Sequence, residues 1–169
     1  IALAKEGYIS KAASKFNEAK NLDAGLTFKP KNHAKEIAVK SYLARGQQLL
    51  RQGRVNRATQ DYLQAKAFGL ENSITVEDWD YLCRMGSIYN QAKQVMFACE
   101  QGVGLAPENG HILISRGLAR ALTGDIQGAI TDLQNSMEWT FDEEERTQLQ
   151  AWINALKQGE NPFTFKVLE

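Results

Sequence analysis

The stretch Gly124-Asp125-Ile126-Gln127-Gly128-Ala129-Ile130-Thr131-Asp132-Leu133 sets a glycine turn ahead of a helix, with an alanine five residues after the glycine and a large apolar residue four further on. The same order recurs upstream. Gly53 is followed by Ala58, Tyr62, Ala65 and Phe68, and Gly7 by Ala12, Phe16, Ala19 and Leu22. Ahead of the turn, Tyr42, Gly46 and Leu49 in one copy and Leu113 and Gly117 in another mark a preceding helix that carries a small residue where it meets its mate. Glycine and alanine let two backbones approach, and the large residue fills the gap beside them.

A third copy is irregular. Val95, Cys99, Gly102, Leu105 and Pro107 fit its second helix and Leu82, Gly86 and Tyr89 its first, which makes the connection three residues shorter than in the other copies. Thr75 is placed to cap the first of these helices, with Asp78 in its positively polarised first turn. Counted at Ala12, Ala58, Val95 and Ala129, the copies are 46, 37 and 34 residues apart. The surplus of the first interval lies around Gly25 to Asn32, before a long helix expected from about His33 to Gln52. The expected organisation is a truncated first repeat over 1–24 and an insertion with the start of the long helix over 25–38. A second repeat follows over 39–72, a third over 76–109 and a fourth over 110–141. A capping helix over 142–158, with Leu149, Trp152, Ile153 and Leu156 as one apolar stripe, and a tail over 159–169 complete it. The chain opens without methionine on the end of a first helix, which reads as a fragment of a longer protein.

These helix pairs resemble the tetratricopeptide repeat (TPR), a unit of about 34 residues made of two antiparallel helices. The resemblance implies an all-α, right-handed α-α superhelical solenoid of TPR helix pairs closed by the C-terminal capping helix. It also implies a concave groove, lined by the first helix of each pair, that binds a protein or peptide segment. By position the groove residues are Lys40, Leu43, Gln47, Leu50 and Arg51 in the second copy and His111, Ile114, Leu118, Ala121 and Leu122 in the fourth, with Asp80, Cys83 and Ser87 as weaker nominations in the third. Such a groove would favour a partner with an acidic group and an apolar anchor. The asparagine and lysine clamp of chaperone-binding repeats is not reproduced. Residues 106–110, 118–125 and 158–163 further resemble the C-terminal repeat region of large signalling proteins of oxygenic photosynthetic bacteria.

Composition agrees with a helical globular chain: 43% of the 169 residues are hydrophobic and 24% charged, with three prolines. No stretch approaches the roughly 20 apolar residues of a spanning helix. Two cysteines, Cys83 and Cys99, are too few for a disulfide scaffold; in apolar surroundings they read as separate buried thiols of a reducing, cytoplasmic compartment. The formal net charge of zero hides a division, since residues 1–70 carry 13 Lys/Arg against 5 Asp/Glu and the remainder 7 against 15. Such a dipolar layout suits self-association between basic and acidic halves. The basic segment 29–57, with Phe28 and Tyr42, is the place where nucleic acid would bind, although Tyr42 is already used in packing.

Catalytic chemistry finds little footing. There is no phosphate-cradling glycine loop, zinc-protease helix motif, calcium loop or paired-cysteine metal spacing. The cysteines sit where small packing residues belong, and His33 and His111 are the sole histidines. The acids from Asp142 to Glu145 complement a helix dipole, and Trp79, Trp139 and Trp152 fall at packing positions. The expectation is a non-enzymatic interaction module with no cofactor, no metal and no membrane segment.

Overall fold

The computed structural model describes residues 1–23, 25–70 and 73–163. Among them are nine helices: α1 (Ala2–Lys5), α2 (Ile9–Leu22), α3 (Pro30–Arg51), α4 (Val55–Ala67), α5 (Val76–Ile88), α6 (Ala92–Leu105), α7 (Gly110–Thr123), α8 (Ile126–Ser136) and α9 (Glu143–Lys157). They fall into two compact units, Ile1–Ile74 and Thr75–Glu169. In the first unit α3 packs along α4 and against α2, with α1 beside α2 and α3. In the second, α5 pairs with α6 and α7 with α8, α7 lies against both helices of the preceding pair, and α9 closes on α8.

The turns inside the pairs are set by backbone handedness. Gly7, Gly53 and Gly124 have φ of 83°, 69° and 91°, and the equivalent place between α5 and α6 is taken by Asn90 at φ 59°. Asparagine is one of the few L-residues that enters the left-handed region readily. With Asn90 as the turn residue, the shorter connection expected in the third copy disappears. Seven residues before each turn the first helix places a small residue against its mate: Gly46, Cys83 and Gly117. A Cβ on Gly46 would lie 2.8 Å from the Tyr62 ring, and one on Gly117 3.2 Å from Leu133. The third pair solves the same crossing with Cys83 and Cys99, which are joined by a disulfide with Cα atoms 5.0 Å apart. The expectation of two separate thiols is thereby corrected: the crossing brings two small residues within bridging distance. Gly86, the residue taken from sequence as the crossing point, instead makes room for Val95 one turn away.

One position earlier, a second link recurs. Arg45 grips the buried Asp61 with two hydrogen bonds of 2.6 and 2.5 Å, and Arg116 grips Asp132 with bonds of 2.9 and 2.7 Å, each pair 16 residues apart like the cysteines. In the middle pair those positions are the buried apolar Leu82 and Ala98.

Helix ends follow capping chemistry. Thr75 and Asp78 form a reciprocal capping box on α5, Asn109 accepts from His111 N and Ile112 N on α7, Asp125 from Gly128 N on α8, and Asp142 from Glu145 N on α9. The long helix α3 begins at Pro30 rather than near His33, because proline fits a first helical position where its missing N–H is not needed. Phe28 of the insertion packs with Phe16 and His33, ring centroids 5.7 and 4.7 Å away.

Seven residues before Gly159 (φ 78°) stands Trp152, so α9 follows the register of a first helix but carries an indole at the small-residue position. Phe163 lies against that indole at 5.1 Å and is buried with Leu149, Ile153 and Leu156. The tail was expected to run on through Phe165, which lies outside the described residues.

Four substitutions test the helix packing. Gly46→Ala should destabilise the fold by about 1–3 kcal/mol in urea unfolding despite alanine's better helix propensity, because the Tyr62 ring must move. Gly104→Ala, with nothing within 4 Å of the new Cβ, should stabilise by about 0.5–1 kcal/mol. Asp132→Ala should cost about 3 kcal/mol, because Arg116, with its side chain 13% exposed, loses its buried partner and keeps only the half-exposed Glu100, while Arg120 loses the same carboxylate. Asp61→Ala should cost less by the same measurement, since Arg45 is 58% exposed and regains water.

Candidate partner-binding surface

The first helices of the second unit place different residues at matching offsets. Glu77, Asp80 and Arg84 on α5 stand 34 residues before His111, Ile114 and Leu118 on α7. Between the two helices opens a cleft of about 320 Å³ lined by Val76, Glu77, Asp80, Arg84, Asn109 and His111. Asp80 accepts a 2.5 Å hydrogen bond from Ser115 Oγ and lies 3.9 Å from Arg84 Nε, so α5 and α7 are tied at the cleft floor. A hydrogen bond from Thr75, reinforced by Glu77's own backbone amide, holds the Glu77 carboxyl below the usual carboxylate range.

On the other side of α7 a second cleft of about 350 Å³ is lined by Ile114, Asp142, Glu144, Glu145, Gln148, Leu149 and Trp152. Its floor is apolar and its rim is acidic. The nearest arginine of α9, Arg146, is engaged elsewhere: its Nη1 donates to the carbonyl oxygens of Met137 and Thr140. Arg116 and Arg120 are bound to Asp132 and Glu100. Burial opposes the charged form of Arg116, and its hydrogen bonds to Asp132 with the charges of Asp132 and Glu100 outweigh that, holding it above its ordinary value.

The residues expected in a groove divide accordingly. His111 and Ile114 line the two clefts. Leu118 and Ala121 are buried with Leu133, Leu149 and Ile153, and Leu122 is half-buried against the same cluster. In the first unit Lys40 and Arg51 are exposed and Gln47 is half-buried. Leu43 and Leu50 are buried, Leu50 completely, which leaves them little surface for a partner. Asp80 belongs to the first cleft; Cys83 is in the disulfide, and Ser87 is buried, donating to the Cys83 carbonyl.

Glu77, Arg84 and the α9 residues were not anticipated. Once Asn90 is recognised as the turn, the 34-residue offset from His111 and Leu118 points to Glu77 and Arg84, and the same step onward from Ile114 lands on Gln148. Among the described residues no cluster of three or more His, Cys, Asp or Glu is arranged to hold a metal ion, and no helix is long and apolar enough to cross a membrane.

Phe163→Ala should loosen Trp152 at the edge of the second cleft and cost about 3 kcal/mol or more, read by urea unfolding.

No family model matches the sequence, and neither does any curated protein. Among solved structures, the TPR domain of P58(IPK) is similar, with a TM-score of 0.61 at 20% identity over 93% of this chain. The matched region spans 44% of that structure's chain. At this identity the likeness concerns the fold, and the chain has the fold of a TPR-like helical solenoid.

Proposed function

We propose that this chain is a non-catalytic scaffold module that binds a protein or peptide segment through exposed residues of the first helices of its pairs. The observation that carries the reading is the pair of open clefts flanking α7, built from residues at equivalent repeat positions. A surface held by packed helices loses little conformational entropy when it accepts an extended segment. In the first unit, exposed Lys40 and Arg51 suit an acidic group on the partner. The short stretches at 106–110, 118–125 and 158–163 support membership of a larger signalling protein. A reducing cytoplasm was inferred from free thiols, and the disulfide removes that support.

Self-association is the second reading, favoured by the opposite charge of the two halves. It calls for a mass that rises with concentration and falls with salt in analytical ultracentrifugation. Nucleic-acid binding through 29–57 is weakened because Lys35 donates to the Phe68 carbonyl and Arg45 holds Asp61. Retention of a nuclease-sensitive ligand with a steep salt slope would reverse that ranking.

The direct test is selection from a random decapeptide pool on the immobilised chain. Wild type should retain an acidic class of peptides, and Lys40→Glu with Arg51→Glu should lose it at least tenfold with unchanged far-UV circular dichroism. A pool that retains no peptide on wild type removes the scaffold reading.

A further inference from the structure

Resting on the reading of this face as a binding surface, we propose that the clefts flanking α7 take a basic segment, in which a lysine or arginine stands beside one aliphatic or aromatic anchor. The charge is one-sided. The second cleft presents Asp142, Glu144 and Glu145, and the first adds Glu77 and Asp80 against Arg84. Helix-dipole complementarity accounts for part of this at α9, but a helix N-terminus offers about half an elementary charge against three rim carboxylates. The surplus stays negative, and it is not balanced locally. Asp142 caps α9 through one oxygen, while Glu144 and Glu145 have no ion-pair partner among the described residues. Of the neighbouring cations, Arg116 and Arg120 are paired with Asp132 and Glu100, and Arg146, held on the carbonyl oxygens of Met137 and Thr140, sets a single charge against the three carboxylates.

The apolar requirement comes from the floor. Ile114 and Trp152 are half-buried and Leu149 is fully buried beneath the opening. A space of about 350 Å³ is at the small end of ligand sites and has room for an apolar side chain. Phe141, directly before the acidic turn, is 89% exposed and extends the apolar surface at the α9 start. Carboxylates around an apolar well select an anchor flanked by cations, and they disfavour an acidic flank by like-charge approach. Two carboxylate-bearing clefts on either side of one helix further suit a segment with spaced basic residues.

The same decapeptide selection separates the outcomes. Wild type should retain a second class rich in lysine and arginine next to leucine, isoleucine or phenylalanine. Glu144→Lys with Glu145→Lys should deplete that class at least tenfold, and the milder Glu144→Gln with Glu145→Gln, which preserves side-chain volume should α9 not tolerate the reversal, at least threefold. Lys40→Glu with Arg51→Glu should leave it intact. Fluorescence anisotropy with one selected basic peptide should show affinity falling as salt rises. A wild-type pool holding peptides but no basic class, or a basic class indifferent to both α9 variants, overturns this proposal while the scaffold reading stands. An empty wild-type pool removes both.

Discussion

In each pair a small residue of the first helix meets a partner 16 residues on in the second, and the packing there follows from what occupies the two positions. In α3 and α4 a missing side chain at Gly46 admits the Tyr62 ring; in α7 and α8 Gly117 admits Leu133. In α5 and α6 neither partner is large, and Cys83 and Cys99 close the gap covalently. Dispersion falls steeply with separation, so a crossing left half-filled would forfeit contacts along both helices. The arginine–aspartate links one residue away reappear where the crossing uses glycine and are replaced by Leu82 and Ala98 where it uses sulfur.

Much of this was legible in the sequence. Glycine turns followed by Ala58, Tyr62 or Ala129, Leu133 gave the pairs, and Thr75 with Asp78 announced a helix start that the structure keeps. Asn90 hid the third turn because a left-handed asparagine looks like any polar residue. That misplaced the crossing onto Gly86 and obscured the pairing of Cys83 with Cys99. The surface was less legible, since whether Leu43, Leu50 or Leu118 faces a partner or a neighbouring helix depends on packing that a single helix pattern does not contain. The rim acids of α9 were read as dipole partners alone, because the helix dipole already explained them locally.

Charge, too, separates into two roles. Arginines in these pairs serve mainly to hold helices together, as Arg45, Arg116 and Arg120 do, and are thereby withdrawn from any partner. Carboxylates are used unevenly: Asp61 and Asp132 are buried in those links, while Glu144 and Glu145 stand at an opening. Glu144 and Glu145 therefore keep their charge at an opening while the arginines of α7 are paired with other acids.

The Cys83–Cys99 bridge also alters how the chain would carry load. It spans a sequence separation of 16, so a pull on the ends passes through the sulfurs and bypasses the turn around Asn90. At about 3.3–3.6 Å per extended residue, roughly 50 Å of contour length is hidden from extension. The turn itself is spared tension, and a backbone cut there would leave α5 and α6 parts of one covalent molecule.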